Sequence, residues 1–106
     1  MPKYLWKGNY RPEGAKGLLR EGGTARVKAV EQLLQSVGGK LDAYYYALGE
    51  HDAYLIVDLP DNAAAVAVSL AIAAAGVTRI ETVPLLTMEE VDRASKLPAR
   101  YRPPGT

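Results

Sequence analysis

The sequence predicts one α+β domain with the element order β–α–β–β–α–β and an antiparallel sheet. Three observations lead there. Four short runs have the alternation or apolar density of strands, and two longer stretches have the spacing or composition of helices. The polar turn Gly49-Glu50-His51-Asp52 lies between the second and third strand-like runs, as the tip of a hairpin does.

The first strand is Lys3–Tyr10, where Tyr4, Trp6, Gly8 and Tyr10 alternate with Lys3, Leu5, Lys7 and Asn9. Pro12 then opens a glycine-punctuated segment, Glu13–Gly23, expected to form a short helix that stops at Gly22-Gly23. A clearer helix follows, with Val27, Val30, Leu34 and Val37 on one stripe, widened by Leu33, while Arg26, Lys28, Glu31 and Gln35 face water. Thr24 is its expected N-cap and Gly38-Gly39 its left-handed stop.

Leu41–Leu48 and Ala53–Leu59 are the hairpin strands. Strict alternation puts Leu41, Ala43, Tyr45 and Ala47 on one face, and Asp42, Tyr44, Tyr46 and Leu48 on the other. The next helix starts at Asp61-Asn62 and stops at Gly76. Its bulky residues form two groups, Val66 with Leu70 and Val68 with Ile72, on nearly opposite sides at roughly 100° per residue. A helix apolar all round needs cover all round. The C-terminal helix or a second subunit would supply it on the side away from the sheet. Thr78–Leu86 is the last strand, and Pro84 marks it as an edge strand or a bulge. Thr87-Met88-Glu89-Glu90 reads as a capping box for a short helix ending near Leu97. The domain is thus expected to span residues 1–97, with residues 98–106 a flexible, proline-rich C-terminal tail.

Composition excludes several classes of function. With 13 basic and 12 acidic side chains in 106 residues, there is no electrostatic reason to expect nucleic acid as a partner. The absence of cysteine removes disulfides and thiolate catalysis. One histidine per chain is too few for a metal site, unless two copies of His51 met across a dimer axis. No cofactor is expected. Met1-Pro2-Lys3-Tyr4 lacks a signal-peptide core, and the alanine-rich Asp61–Val77 reads as a buried helix rather than a membrane span, so a cytoplasmic location is expected.

Two split β–α–β halves make a ferredoxin-like plait, and at this point a family comes into view. Met1-Pro2-Lys3-Tyr4, Gly14-Ala15-Lys16-Gly17-Leu18-Leu19, Gly22-Gly23, Gly38-Gly39-Lys40-Leu41, Gly49-x-x-Asp52 and Val57-Asp58-Leu59-Pro60-Asp61 occur in one order along the chain. This run of motifs resembles the GYD-domain proteins from the N-terminus to about Ala94. The resemblance implies a dimeric α+β barrel, in which two ferredoxin-like sheets pack face to face; it implies no particular reaction. The family's Gly-Tyr-Asp signature surrounds the central hairpin, and here His51 stands at the aromatic position. Homodimer formation agrees with the paucity of polar residues on both faces of the hairpin strands. Aspartate at Tyr45 or Val57 is therefore expected to dissociate the dimer or prevent folding.

His51 is the candidate catalytic residue, because histidine is the side chain whose ordinary titration lies near neutral pH. Asp52 beside it would orient the ring only if the turn brought them together; otherwise Asp52 bonds backbone amides and His51 sits exposed at the tip. Trp6, Tyr10, Tyr44 and Tyr46 are the candidate ligand-binding residues. Were their faces to meet, they would line an aromatic pocket with hydroxyl handles, suited to a small flat molecule; core and interface packing is the alternative, and the expected role of most of them. Gly17–Thr24 is nearly a P-loop, but Gly23 replaces the phosphate-reaching lysine. What remains is a weak anion site helped by Arg20 and Arg26. Arg100, Tyr101 and Arg102 in the tail could touch an acidic partner, but a solvated, mobile tail is the favoured reading. Two functions are therefore carried forward. One is a homodimeric module binding a small aromatic or anionic ligand. The other is a cofactor-independent monooxygenase or isomerase with His51 as general base.

Overall fold

The computed structural model describes residues 1–106. The elements are β1 (Lys3–Tyr10), α1 (Pro12–Gln35), β2 (Lys40–Tyr46), β3 (Ala53–Asp58), α2 (Asn62–Ala75), β4 (Thr78–Leu85) and α3 (Met88–Ser95). All strand pairs are antiparallel, in the order β2-β3-β1-β4. This is the ferredoxin-like α+β arrangement that the element order predicts, followed by one additional helix. Pro84 lies in β4, an edge strand, where a missing backbone donor is tolerated.

Alternation in β1 and β3 decides where the core lies. Tyr4, Trp6, Leu55 and Val57 point to one face of the sheet and join Val30 and Leu34 of α1 and Ala65 and Val68 of α2 in the main apolar cluster. Both long helices therefore cover the same face. The opposite face has no cover within the chain. A row of apolar side chains crosses all four strands there: Ala43 opposite Ile56, Ile56 opposite Leu5, and Leu5 opposite Val83. Tyr45 and Tyr54 are paired in the next row. At one border of this open face, Lys3 Nζ donates to Asp58 Oδ1 at 2.8 Å and Asp42 Oδ2 at 3.0 Å. These hydrogen bonds, the one to Asp58 foremost, raise the pKa of the lysine above its ordinary value.

Strict alternation fails in β2. The register shifts between Leu41, opposite Val57, and Ala43, opposite Ile56, so Asp42 is the extra residue of a β-bulge. Leu41 therefore shares the helix-covered face with Tyr44 and Tyr46, whereas Ala43 and Tyr45 point to the open face. The grouping of Leu41 with Tyr45 is corrected accordingly. Tyr45 and Val57 also prove to be different probes: Tyr45 is 72% exposed on the open face, and Val57 is fully buried under the helices.

The expected short helix and the helix after it form one path, α1, broken at Gly22, whose φ of 81° and ψ of 167° are non-helical. That glycine makes the break, rather than a cap at Thr24. Gly17–Thr24 therefore does not form a phosphate-cradling loop. In α2 the Asp61 side chain accepts from the Ala64 amide at 2.9 Å, and Gly76 ends the helix with φ 73°. Val68 and Ala65 face the sheet, whereas Val66 and Leu70 are 55% and 64% exposed. The Thr87–Glu90 capping box starts α3 as expected. This helix stands apart from the body with Met88 and Val91 exposed, so it does not supply the missing cover for α2. Residues 98–106 carry no helix or strand. No helix is long and apolar enough to cross a membrane.

Candidate functional site

Between the sheet and its two long helices lies a cavity of about 70 Å³. Its apolar wall includes Val30 and Leu33 of α1, Leu55 of β3, Ile72 of α2 and Ile80 of β4. The lining residues that carry polar side-chain groups are Trp6, Tyr10, Arg26, Tyr44 and Thr78. The alternation of β1 directs Trp6 and Tyr10 to this side, and Gly8 between them leaves the cavity free of a side chain there. The bulge at Asp42 turns Tyr44 inward to meet them. A one-residue register change is enough to exchange the faces of a strand.

The aromatic residues hold one another in place. The Tyr10 and Tyr44 hydroxyls lie 3.2 Å apart, and one donates to the other. The rings of Tyr44 and Tyr46 are 5.1 Å apart and tilted by 52°. Tyr46 in turn rests against the backbone of α1 just after its break: a Cβ on Gly23 would stand 3.0 Å from the Tyr46 ring. The Tyr10 amide donates to Asp52 Oδ2 at 2.9 Å, and the Asp52 amide donates to the Gly8 carbonyl at 2.9 Å. The hairpin is thereby fastened to the end of β1.

Burial raises the Tyr44 phenol far above its usual pKa, and the hydrogen bond with Tyr10 adds to the rise. Burial raises Tyr10 as well. Both therefore remain neutral donors well beyond physiological pH. A consequence can be tested in alkali. A folded-state pKa above the unfolded value stabilises the fold fully below about pH 10 and progressively less as pH rises beyond it. Stability is thus expected to fall above about pH 10, and more shallowly in Tyr44→Phe. Absorbance titration should find fewer than the seven tyrosines of the sequence ionising before the fold is lost. Seven ordinary titrations in the folded protein would contradict the buried pair.

Trp6 is the one buried polar side chain without a partner. The residue is 1% exposed, and its Nε1–H is shielded from water with no acceptor. Such a group costs roughly 1–3 kcal/mol when left unpaired. Two larger grooves, of about 630 and 740 Å³, run along α2 and β4 and beside α3. Neither is lined by a buried polar group that lacks a partner.

His51 is placed elsewhere. Its ring packs edge-on to Tyr54, on the open face, with centroids 5.8 Å apart. Nδ1 lies 2.7 Å from Asn9 Oδ1, and the residue is 9% exposed. It borders a polar hollow of about 290 Å³ with Lys7, Asn9, Glu50, Arg79 and Glu81. Asp52 does not pair with it. Of the two alternatives weighed for the turn, Asp52 does bond a backbone amide, that of Tyr10, but His51 is not an exposed tip.

The family model of the GYD domain matches residues 4–95. The chain belongs to the GYD domain family. No curated protein and no solved structure matches it significantly. In this GYD-domain protein the turn Gly49–Asp52 shapes the hairpin through both ends. Gly49 takes a φ of 132°, open to glycine, and Asp52 ties the hairpin to β1.

Among the candidate residues, the GYD fold brings Trp6, Tyr10 and Tyr44 to one cavity, with Tyr46 behind Tyr44 and outside the lining. Arg20 is exposed on α1 and does not line it. Arg26, assigned from its helix position to the solvent side, does. The signal was present: Arg26 precedes Val30 by four residues and Leu33 by seven, a spacing that puts all three on one helix face. A long side chain on a stripe edge can bury its stem while its charge reaches a cavity mouth.

Proposed function

We propose that this GYD-domain protein is a homodimeric module that binds a small molecule in each subunit, in the cavity between sheet and helices. The observation that carries the reading is Trp6, a buried donor without an acceptor, lining an apolar cavity together with the Tyr10–Tyr44 hydroxyl pair. A ligand oxygen would satisfy the indole and remove the cost of leaving it unpaired. Support for the dimer comes from the open face, where the row Ala43, Ile56, Leu5 and Val83 has no cover in one chain. Two such sheets packed face to face would bury it.

The competing enzyme reading, a monooxygenase or isomerase with His51 as base, would need a cavity reaching both His51 and the Tyr10–Tyr44 pair. The ring and the pair lie on opposite faces of the sheet, and the cavity lined by the pair excludes His51. Native mass spectrometry of freshly purified protein tests the favoured reading. The expected spectrum is a dimer whose gentle activation releases a small bound molecule. A monomer at tens of micromolar would overturn the assembly, and a ligand-free spectrum that no added small molecule changes would overturn the binding role.

A further inference from the structure

We infer that the cavity selects a small organic monoanion, a carboxylate with a short chain or a single ring; this rests on reading the cavity as a ligand site. The polar lining is dominated by donors. Trp6 Nε1–H can only donate, and the Arg26 guanidinium can only donate and is positively charged. Of the two phenols, one donates to the other, which leaves a single hydroxyl proton free for a ligand. Thr78 is the remaining polar residue. No Asp, Glu, Asn, Gln or His side chain lines the cavity. A cationic ligand would meet Arg26 with no facing carboxylate, whereas a carboxylate would find a charge and at least two neutral donors. Arg26 Nη1 is ion-paired with the Glu21 carboxylate at 3.4 Å; Glu21 is not part of the lining, so a bound carboxylate would share the guanidinium with it from the cavity side. Phenols are neutral at physiological pH, and burial moves both of these further from ionising, so the pair offers a hydroxyl proton rather than a competing anion.

Size narrows the class. A water needs about 10–15 Å³ of such space, so 70 Å³ holds a handful of waters or one compact molecule. Val30, Leu33, Leu55, Ile72 and Ile80 make the rest of the wall apolar, which favours a hydrocarbon body over a sugar or a nucleotide.

Trp6 is the only tryptophan of the chain, so its fluorescence and its single indole N–H resonance report on this cavity alone. The full chain would be titrated at neutral pH and fixed ionic strength with three probes of one shape: benzoate, benzamide and benzylamine. Benzoate is expected to change the emission saturably and shift the indole resonance. Benzamide should bind about tenfold or more weakly, and benzylamine should do neither. Arg26→Gln should weaken benzoate by about tenfold or more and leave benzamide unchanged, with the amide spectrum elsewhere preserved. Equal or tighter binding of benzamide or benzylamine, or benzoate binding indifferent to Arg26→Gln, would overturn the anion class and leave the ligand cavity standing. No response of Trp6 to any probe would overturn both.

Discussion

Replacing Ile56 by aspartate is expected to yield a folded monomer. Ile56 occupies the middle of the apolar row on the open face, between Ala43 and Leu5, and is only partly covered within its own chain. A carboxylate there stays hydrated in a monomer, so the fold itself loses little. In the proposed dimer, two symmetric faces would each bury a charge with no cation of their own row to meet it. Burying an isoleucine fully is worth about 1.5–3 kcal/mol. Ile56 is already partly covered in one chain, so losing what remains to be buried on both protomers removes about 1–2 kcal/mol, or roughly one decade in Kd. The penalty for an unpaired carboxylate adds to this. Sedimentation velocity would read the change in mass, and near-UV circular dichroism would show whether the aromatic cavity persists. A stable Ile56→Asp dimer would exclude this face as the interface.

The adjacent residue should behave in the opposite way. Val57 is fully buried, paired across to Tyr4 and Leu41 and packed in the cluster that includes Leu34 and Val68. Val57→Asp puts a carboxylate beneath the helices with no cation among those neighbours. Such a group costs several kcal/mol, comparable with the whole stability of about 5–15 kcal/mol expected of a domain. The variant is expected to lose its cooperative unfolding transition and its near-UV spectrum at 25 °C. Val57→Ala serves as the control, remaining folded with a lower unfolding midpoint. A Val57→Asp protein that stayed folded would mean that the sheet faces are assigned the wrong way round. Two neighbouring residues thus separate assembly from folding, because successive side chains of a strand leave on opposite sides.

The two substitutions also show where sequence reading stops. The alternation in Lys3–Tyr10 and Ala53–Asp58 sorted their side chains correctly, since an uninterrupted strand has period two. In Lys40–Tyr46 the same rule failed, because Asp42 is inserted against β3 without leaving a glycine or proline to mark it. Tyr45 therefore looked equivalent to Val57 and is not. Arg26 was set on the wrong side for a related reason: a charged residue at the border of an apolar stripe is assigned to water by chemistry and to the cavity by geometry. The unpartnered Trp6 indole had no sequence signal, because whether a donor finds an acceptor depends on what other strands and helices bring to it.

Local rules, then, were enough for most of what depends on neighbours along the chain, the expected cap at Thr24 being the exception. The element order, the Asp61 cap, the Gly76 stop, the Thr87–Glu90 capping box and the break at Gly22 all follow from steric freedom and hydrogen bonding within a few residues. The pairing register, the bulge that turns Tyr44 inward, the aromatic cavity with its solitary indole donor, and the separation of His51 from it were decided only in three dimensions. Those features arise from contacts between separate elements, from Tyr46 with Ala53 in the hairpin to Lys3 with Leu85 at the two ends of the domain. Their free energies depend on packing that no local pattern encodes.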